Sequence, residues 1–255
     1  MRRNWIWAAA CVLLACVLVS CTTKNIEKDK QIAEKTRILG EAYYRDQRPQ
    51  EALRTFLKAE ALYADDHLLQ EDLGLAYLAL GKPELAIRHF KKALEINPEY
   101  TPARNNLGNA YASQKDWGKA IEQYRIASTD VLYATPYYPL ANLGFVYYQQ
   151  KEYGLAERYY RKALKAKRDY VGALHGLART YLATDRVDEA IEKLDKAIEL
   201  APEGAFVYYD LANAYRQKGD YKKAYEIYMK VAELQPDSAL ADKAMQEARK
   251  MENRY

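Results

Sequence analysis

One spacing limits what this chain can fold into. Leu-Gly or Leu-Ala pairs recur at Leu39-Gly40, Leu73-Gly74, Leu107-Gly108, Leu143-Gly144, Leu177-Ala178 and Leu211-Ala212, every 34 residues except for one step of 36. Three places after the small residue stands a tyrosine in every copy: Tyr43, Tyr77, Tyr111, Tyr147, Tyr181 and Tyr215. Twelve places after it stands an alanine: Ala52, Ala86, Ala120, Ala156, Ala190 and Ala224. At sixteen come Phe56, Phe90, Tyr124, Tyr160, Leu194 and Tyr228, and at nineteen an alanine again, with Val231 the one departure. Self-similarity at such a period marks a stack of equal units. A unit this short cannot bury its own apolar face, so its stability has to come from its neighbours.

These columns resemble the tetratricopeptide repeat, and the likeness extends over residues 33–238. The resemblance implies an all-α, right-handed superhelical solenoid of six helix-turn-helix repeats: 33–66, 67–100, 101–134, 137–170, 171–204 and 205–238. Small residues on facing helices let the axes approach to about 8–10 Å, so the Gly or Ala of the first helix is expected opposite the first Ala of the second. The large residue at sixteen and the tyrosine column then fill the wedges between repeats, each phenol with its edge towards water. Pro49 and Pro83 fall in the first turn of a second helix, where no amide donor is needed. Pro98, Pro202 and Pro236 close their repeats. The last repeat needs a cover, and Ala239 to Met251 carries Leu240, Ala244, Ala248 and Met251 at helical spacing. Residues 239–255 are therefore expected to form a capping helix and tail.

The N-terminus is of another kind. Met1 to Asn4 includes two arginines, and Trp5 to Val19 is an uninterrupted apolar run. That run is short of the roughly 20 residues that span a bilayer and reads as the core of a signal peptide, residues 1–20. All three cysteines, at 11, 16 and 21, lie in or next to it, which excludes a disulfide framework for the rest. Leu18-Val19-Ser20-Cys21 resembles the lipobox of bacterial lipoproteins. The resemblance implies cleavage before Cys21, acyl chains on its thiol and on the new N-terminus, and no other cofactor. Thr22 next to the cysteine, in place of Asp, favours the periplasmic face of the outer membrane. Residues 21–32 then serve as the lipidated cysteine and a polar tether spanning up to about 40 Å. Without residues 1–20 the formal charge falls from +4 to about +2, too little to force a polyanionic partner such as nucleic acid.

Little in the chain looks catalytic. His67, His89 and His175 stand alone, at no metal-ligand spacing, and there is no glycine-rich phosphate loop and no nucleophile motif. The expected function is non-enzymatic binding of a protein, with no small-molecule substrate and no metal. In repeats of this kind the first helices line a concave face. Its positions are one and four after the small residue and three before it. They select Arg37, Glu41, Tyr44, Leu75 and Leu78 in the first two repeats and Asn105 and Asn109 in the third. The carboxyl-terminal half supplies Phe145, Tyr148, His175, Arg179, Tyr209, Asn213 and Arg216, aromatic groups with cations suited to a peptide with apolar anchors and an acidic group. Asn109, Arg179 and Arg216 are only fragments of the carboxylate clamp found in chaperone-binding repeat proteins.

The irregular step between repeats three and four holds Asp130-Val131-Leu132-Tyr133, then Pro136 and Pro139, before Asn142-Leu143-Gly144. This segment, with the lipobox and the six repeats, resembles the type IV pilus biogenesis/stability lipoproteins (the PilF/PilW type, secretin pilotins), although Ala134 stands where a proline is expected. The resemblance implies an outer-membrane lipoprotein that holds secretin subunits and promotes their insertion and multimerisation. Competing expectations are a repeat scaffold of polysaccharide export or barrel assembly, or a passive stalk.

Overall fold

A computed structural model describes residues 25–252 and 254. The signal segment, Cys21 and the first residues of the tether lie outside the described residues. Residues 25–45 form α1. It is followed by α2 (Pro49–Leu62), α3 (His67–Ala79), α4 (Pro83–Ile96), α5 (Thr101–Ser113), α6 (Trp117–Thr129) and α7 (Tyr137–Gln149). Then come α8 (Tyr153–Ala166), α9 (Val171–Ala183), α10 (Val187–Leu200), α11 (Ala205–Lys218), α12 (Tyr221–Leu234) and α13 (Ala239–Met251). Among the described residues there is no strand, and no helix is long and apolar enough to cross a membrane. The chain forms two compact units, Met1–Asp116 and Trp117–Tyr255, divided between the two helices of the third expected repeat.

The sequence period reappears in the backbone. Gln47, Gly81, Lys115, Lys151, Asp185 and Gly219, each seven places after the small residue, all have positive φ. One residue later the amide donates to the carbonyl of the column tyrosine, as in Arg48 to Tyr43, Glu152 to Tyr147 and Asp220 to Tyr215, at 2.9–3.0 Å. That six-to-one bond past a left-handed residue ends each first helix and reverses the chain. The left-handed conformation costs a residue with a Cβ about 1–2 kcal/mol, and only Gly81 and Gly219 avoid it. The second helices begin as expected, with Pro49 and Pro83 in the first turn. Side-chain caps stand at Asp66, Asp220 and Ser238, whose oxygens accept from Leu68, Lys223 and Ala241 amides.

The alanines at twelve and nineteen, with Val231, are fully buried, and so are the large residues at sixteen. The small residue also has a part that the spacing did not disclose. A methyl group on Gly74 would stand 2.5 Å from the Phe90 ring, and one on Gly144 would stand 2.8 Å from Tyr160. Gly40 meets Phe56 in the same way, so the glycine seats the ring sixteen places on. Tyr160 is held twice, because Gly176 of the following repeat abuts the same ring. The small residue is Ala178 where Leu194 stands at sixteen and Ala212 where Tyr228 does, all four buried.

Two boundaries differ from expectation. Residues 25–32, read as a tether, already belong to α1, although Ile26 and Ile32 stay exposed. Leu39 is 52% exposed while its counterparts Leu73, Leu107, Leu143, Leu177 and Leu211 are buried, because among the described residues no earlier repeat packs over α1. At the other end α13 packs on α12 and closes the stack with Ala244, Ala248, Met251 and also Ala241. Its buried residues join Tyr228 and Val231 in one cluster.

Gly176→Ala is expected to lower stability by about 1–2 kcal/mol in urea unfolding, overpacking outweighing the gain in helix propensity. Tyr160→Leu in the same chain should restore part of that loss. Lys151→Gly, which relieves a left-handed lysine, should raise stability by up to about 1 kcal/mol.

Candidate functional site

First helices of adjacent repeats touch one another, α3 with α5, α7 with α9 and α9 with α11, so their side chains meet along one face. A rule absent from the sequence reading organises that face. In three pairs of adjacent repeats the residue three before the small one bonds the residue two before it in the next repeat, 35 positions on; repeats four and five carry Ala141 and Gly176 at these places and lack the bond. Arg37 Nη1 donates to Asp72 Oδ2 at 3.1 Å, and Asn106 Nδ2 donates to Glu71 Oε1 at 2.9 Å. In the second unit His175 Nε2 and Asp210 Oδ2 are 2.7 Å apart. Part of the expected groove is thus spent on joining repeats.

In the second unit the candidates of repeats four to six come together. The guanidinium of Arg179 lies 4.9 Å from the Tyr148 ring centroid, and its Nε is 3.7 Å from the Asp210 carboxylate that His175 also meets. The Tyr148 ring in turn lies against Tyr153. Tyr209 packs edge-on to Tyr228, whose hydroxyl donates to Asn213 Oδ1 at 2.7 Å. Arg216 pairs with Glu247 of the capping helix at 2.7 Å. Lys250 and then Arg216 hold the Glu247 carboxyl below its usual range. Phe145 stays exposed. The cations read as a site for an acidic group are therefore already faced by Asp210 and Glu247. What remains open is an aromatic surface, Phe145 and Tyr148, edged by Arg179.

The first unit differs. Asn105, at the same repeat position as Arg37 and Glu71, is buried at 7% exposure and offers a partner little surface. Asn109 donates to Asn106 at 3.3 Å. The Arg37 guanidinium meets Glu41, Asp72 and Asp66, three carboxylates to one cation. Burial pushes the Asp72 carboxyl up to about 7 against the pull of Arg37. Glu71 rises for the same reason, against bonds from Tyr100 and Asn106. Glu41, Tyr44, Asp72 and Leu75 line an open cavity of about 510 Å³. Asp72, Asp210 and Asn106 escaped the sequence reading because position minus two was assigned no role; their common offset from the small residue was the available signal.

Known proteins share these repeats and this fold. Family profiles described as tetratricopeptide repeat match residues 72–100, 89–122, 133–203 and 169–237, together more than half of the chain. Anaphase-promoting complex subunit 3 of Schizosaccharomyces pombe is 26% identical over 217 residues, 85% of this chain but 29% of that protein. The chain thus spans under a third of this curated relative. The solved structure of Pseudomonas aeruginosa PilF superposes with a TM-score of 0.72 at 20% identity, covering 86% of this chain and 99% of that one. PilW, a type IV pilus biogenesis factor, gives 0.76 at 22% identity, covering 84% and 99%. Stacked helix pairs of this family define a scaffold for protein interaction, a class that is generally non-enzymatic. The chain belongs to the tetratricopeptide-repeat family.

Because Asp72 ionises with more difficulty in the fold than in the unfolded chain, its contribution is complete below pH 4 and lost as pH rises through about 7. His89 works the other way. Burial lowers its pKa, so its contribution is lost as pH falls below its unfolded value. Asp72→Asn is expected to gain about 2 kcal/mol relative to the natural chain on going from pH 5 to pH 8, at ~1.4 kcal/mol per pKa unit. Urea unfolding at the two pH values measures it.

Proposed function

We propose that this protein is a lipid-anchored scaffold of the bacterial envelope that holds secretin subunits at the outer membrane and assists their assembly for the type IV pilus. One observation carries the reading: a fold that matches PilF and PilW over 99% of each of those chains and ends, as the repeats do, in a closing helix. The Asp130-Val131-Leu132-Tyr133 segment leading to Asn142-Leu143-Gly144 and the lipobox at Leu18 to Cys21 support it from the sequence.

The mechanism needs no catalysis. Acyl chains on Cys21, at about 0.8 kcal/mol per buried CH₂, hold the N-terminus at the bilayer. The open aromatic surface at Phe145 and Tyr148, with Arg179 beside it, takes an apolar segment of the partner. Anchoring turns encounter with the membrane into an intramolecular step and raises the local concentration of the bound secretin by orders of magnitude over free diffusion.

Cys21→Ser is the direct test. The variant should fold, appear in the soluble fraction and still co-purify with secretin protomers, while secretin multimers in the outer membrane fall at least ten-fold on immunoblots. Normal multimer levels with the unanchored variant would end the tethering mechanism. Absence of secretin from a crosslinked pull-down of the natural chain would end the assignment of partner.

A further inference from the structure

The most water-exposed large apolar side chains among the described residues do not lie on the groove. They are Val131 and Leu132, 94% and 91% exposed, neighbours in the turn that leads from α6 to α7. The turn has a defined shape. Asp130 Oδ1 accepts the Leu132 amide at 2.9 Å, and the Tyr133 amide donates to the Asp130 carbonyl at 3.4 Å. A pair of branched side chains held in water by an ordered turn is a standing cost unless something covers them.

At the base of this turn is a cationic cavity. Arg125, Leu140, Tyr159, Lys162 and Lys165 line a space of about 650 Å³ together with the last residues of α6. Thr129 lies on its wall, and Val131 follows only two residues later, within about 7 Å of chain. Residues 153–168 hold six Lys and Arg against one carboxylate, Glu157. Glu157 is taken by Arg161 and Arg186, both at 2.8 Å. Lys162 lies over the Tyr159 ring, and among the described residues no carboxylate comes within 4 Å of Lys162 or Lys165. The small net charge of the whole chain conceals this local excess.

We infer that this corner of the second unit is a docking site for an anionic phospholipid bilayer, separate from the acyl anchor and independent of what fills the groove. The layering matches that of a membrane surface. The apolar tip enters the acyl boundary, while Arg125, Lys162 and Lys165 at its base meet headgroup phosphates. A soluble polyanion would use the cavity alone and leave Val131 and Leu132 in water. The contact would hold the second unit against the same bilayer that carries the lipidated cysteine.

Hydrogen exchange of the full-length chain resolves it. The protein is mixed with vesicles of phosphatidylcholine alone or containing phosphatidylglycerol, and the vesicle-bound fraction is taken by flotation. Amides 131–135 should exchange about five-fold more slowly or better on the phosphatidylglycerol vesicles than on phosphatidylcholine or in buffer, since each basic residue at an anionic surface multiplies occupancy roughly five-fold. Lys162→Glu/Lys165→Glu should abolish the protection, and so should Val131→Ser/Leu132→Ser, with helical circular dichroism unchanged in both. Equal exchange on the two kinds of vesicle overturns the inference, as does no binding to phosphatidylglycerol or protection that survives either double substitution. The same protection from inorganic phosphate or an oligonucleotide without vesicles would overturn it in favour of a soluble anion.

Discussion

In three of the repeats one contact limits how closely a first helix can approach the second, the seat between the glycine of one and the ring sixteen places on. Gly74 against Phe90 and Gly144 against Tyr160 leave no room for a methyl group. With that distance fixed, the alanines at twelve and nineteen can only be small, and they are fully buried. The left-handed residue at seven then reverses the chain in each repeat. The groove, its inter-repeat bonds and the closing helix all inherit this geometry. Tyr160, seated by Gly144 and by Gly176 of the next repeat, shows the seat coupling two repeats as well as two helices.

Much of this could be read from the chain. Six aligned columns gave the helix pairs, the buried positions and the capping helix, because burial in a stack repeats with the sequence. Three features resisted. The helical state of residues 25–32 depends on helix propagation into a polar stretch, which carries no apolar stripe. The left-handed turns escaped because four of the six positions hold Gln, Lys or Asp in place of Gly. The polar bonds 35 residues apart escaped because they join side chains of unlike type, Arg37 with Asp72, Glu71 with Asn106 and His175 with Asp210. Only the offset is periodic there, and the chemistry is not.

That last point changes how the groove works. Read from the sequence, His175, Arg179 and Arg216 offer positive charge to a ligand. In the structure Asp210 and Glu247 face them, so removing them from water for a partner's carboxylate would first require breaking an existing pair. The aromatic members carry no such cost, and Phe145 and Tyr148 are better placed than the cations to hold a partner. Net charge misleads in a similar way. A total of +4 hides a helix, α8, whose outer face is strongly basic, since acidic residues elsewhere cancel it in the sum.

The central claim is that the face of the first helices in the second unit grips a protein of the envelope. A photo-crosslinking amino acid at position 145, incorporated in living cells, tests it most directly. The account predicts one dominant adduct at the mass of this chain plus a secretin subunit, lost when the crosslinker is moved to position 196 on the second helix α10. An equal adduct from both positions, or a secretin-free pattern from position 145, would contradict it.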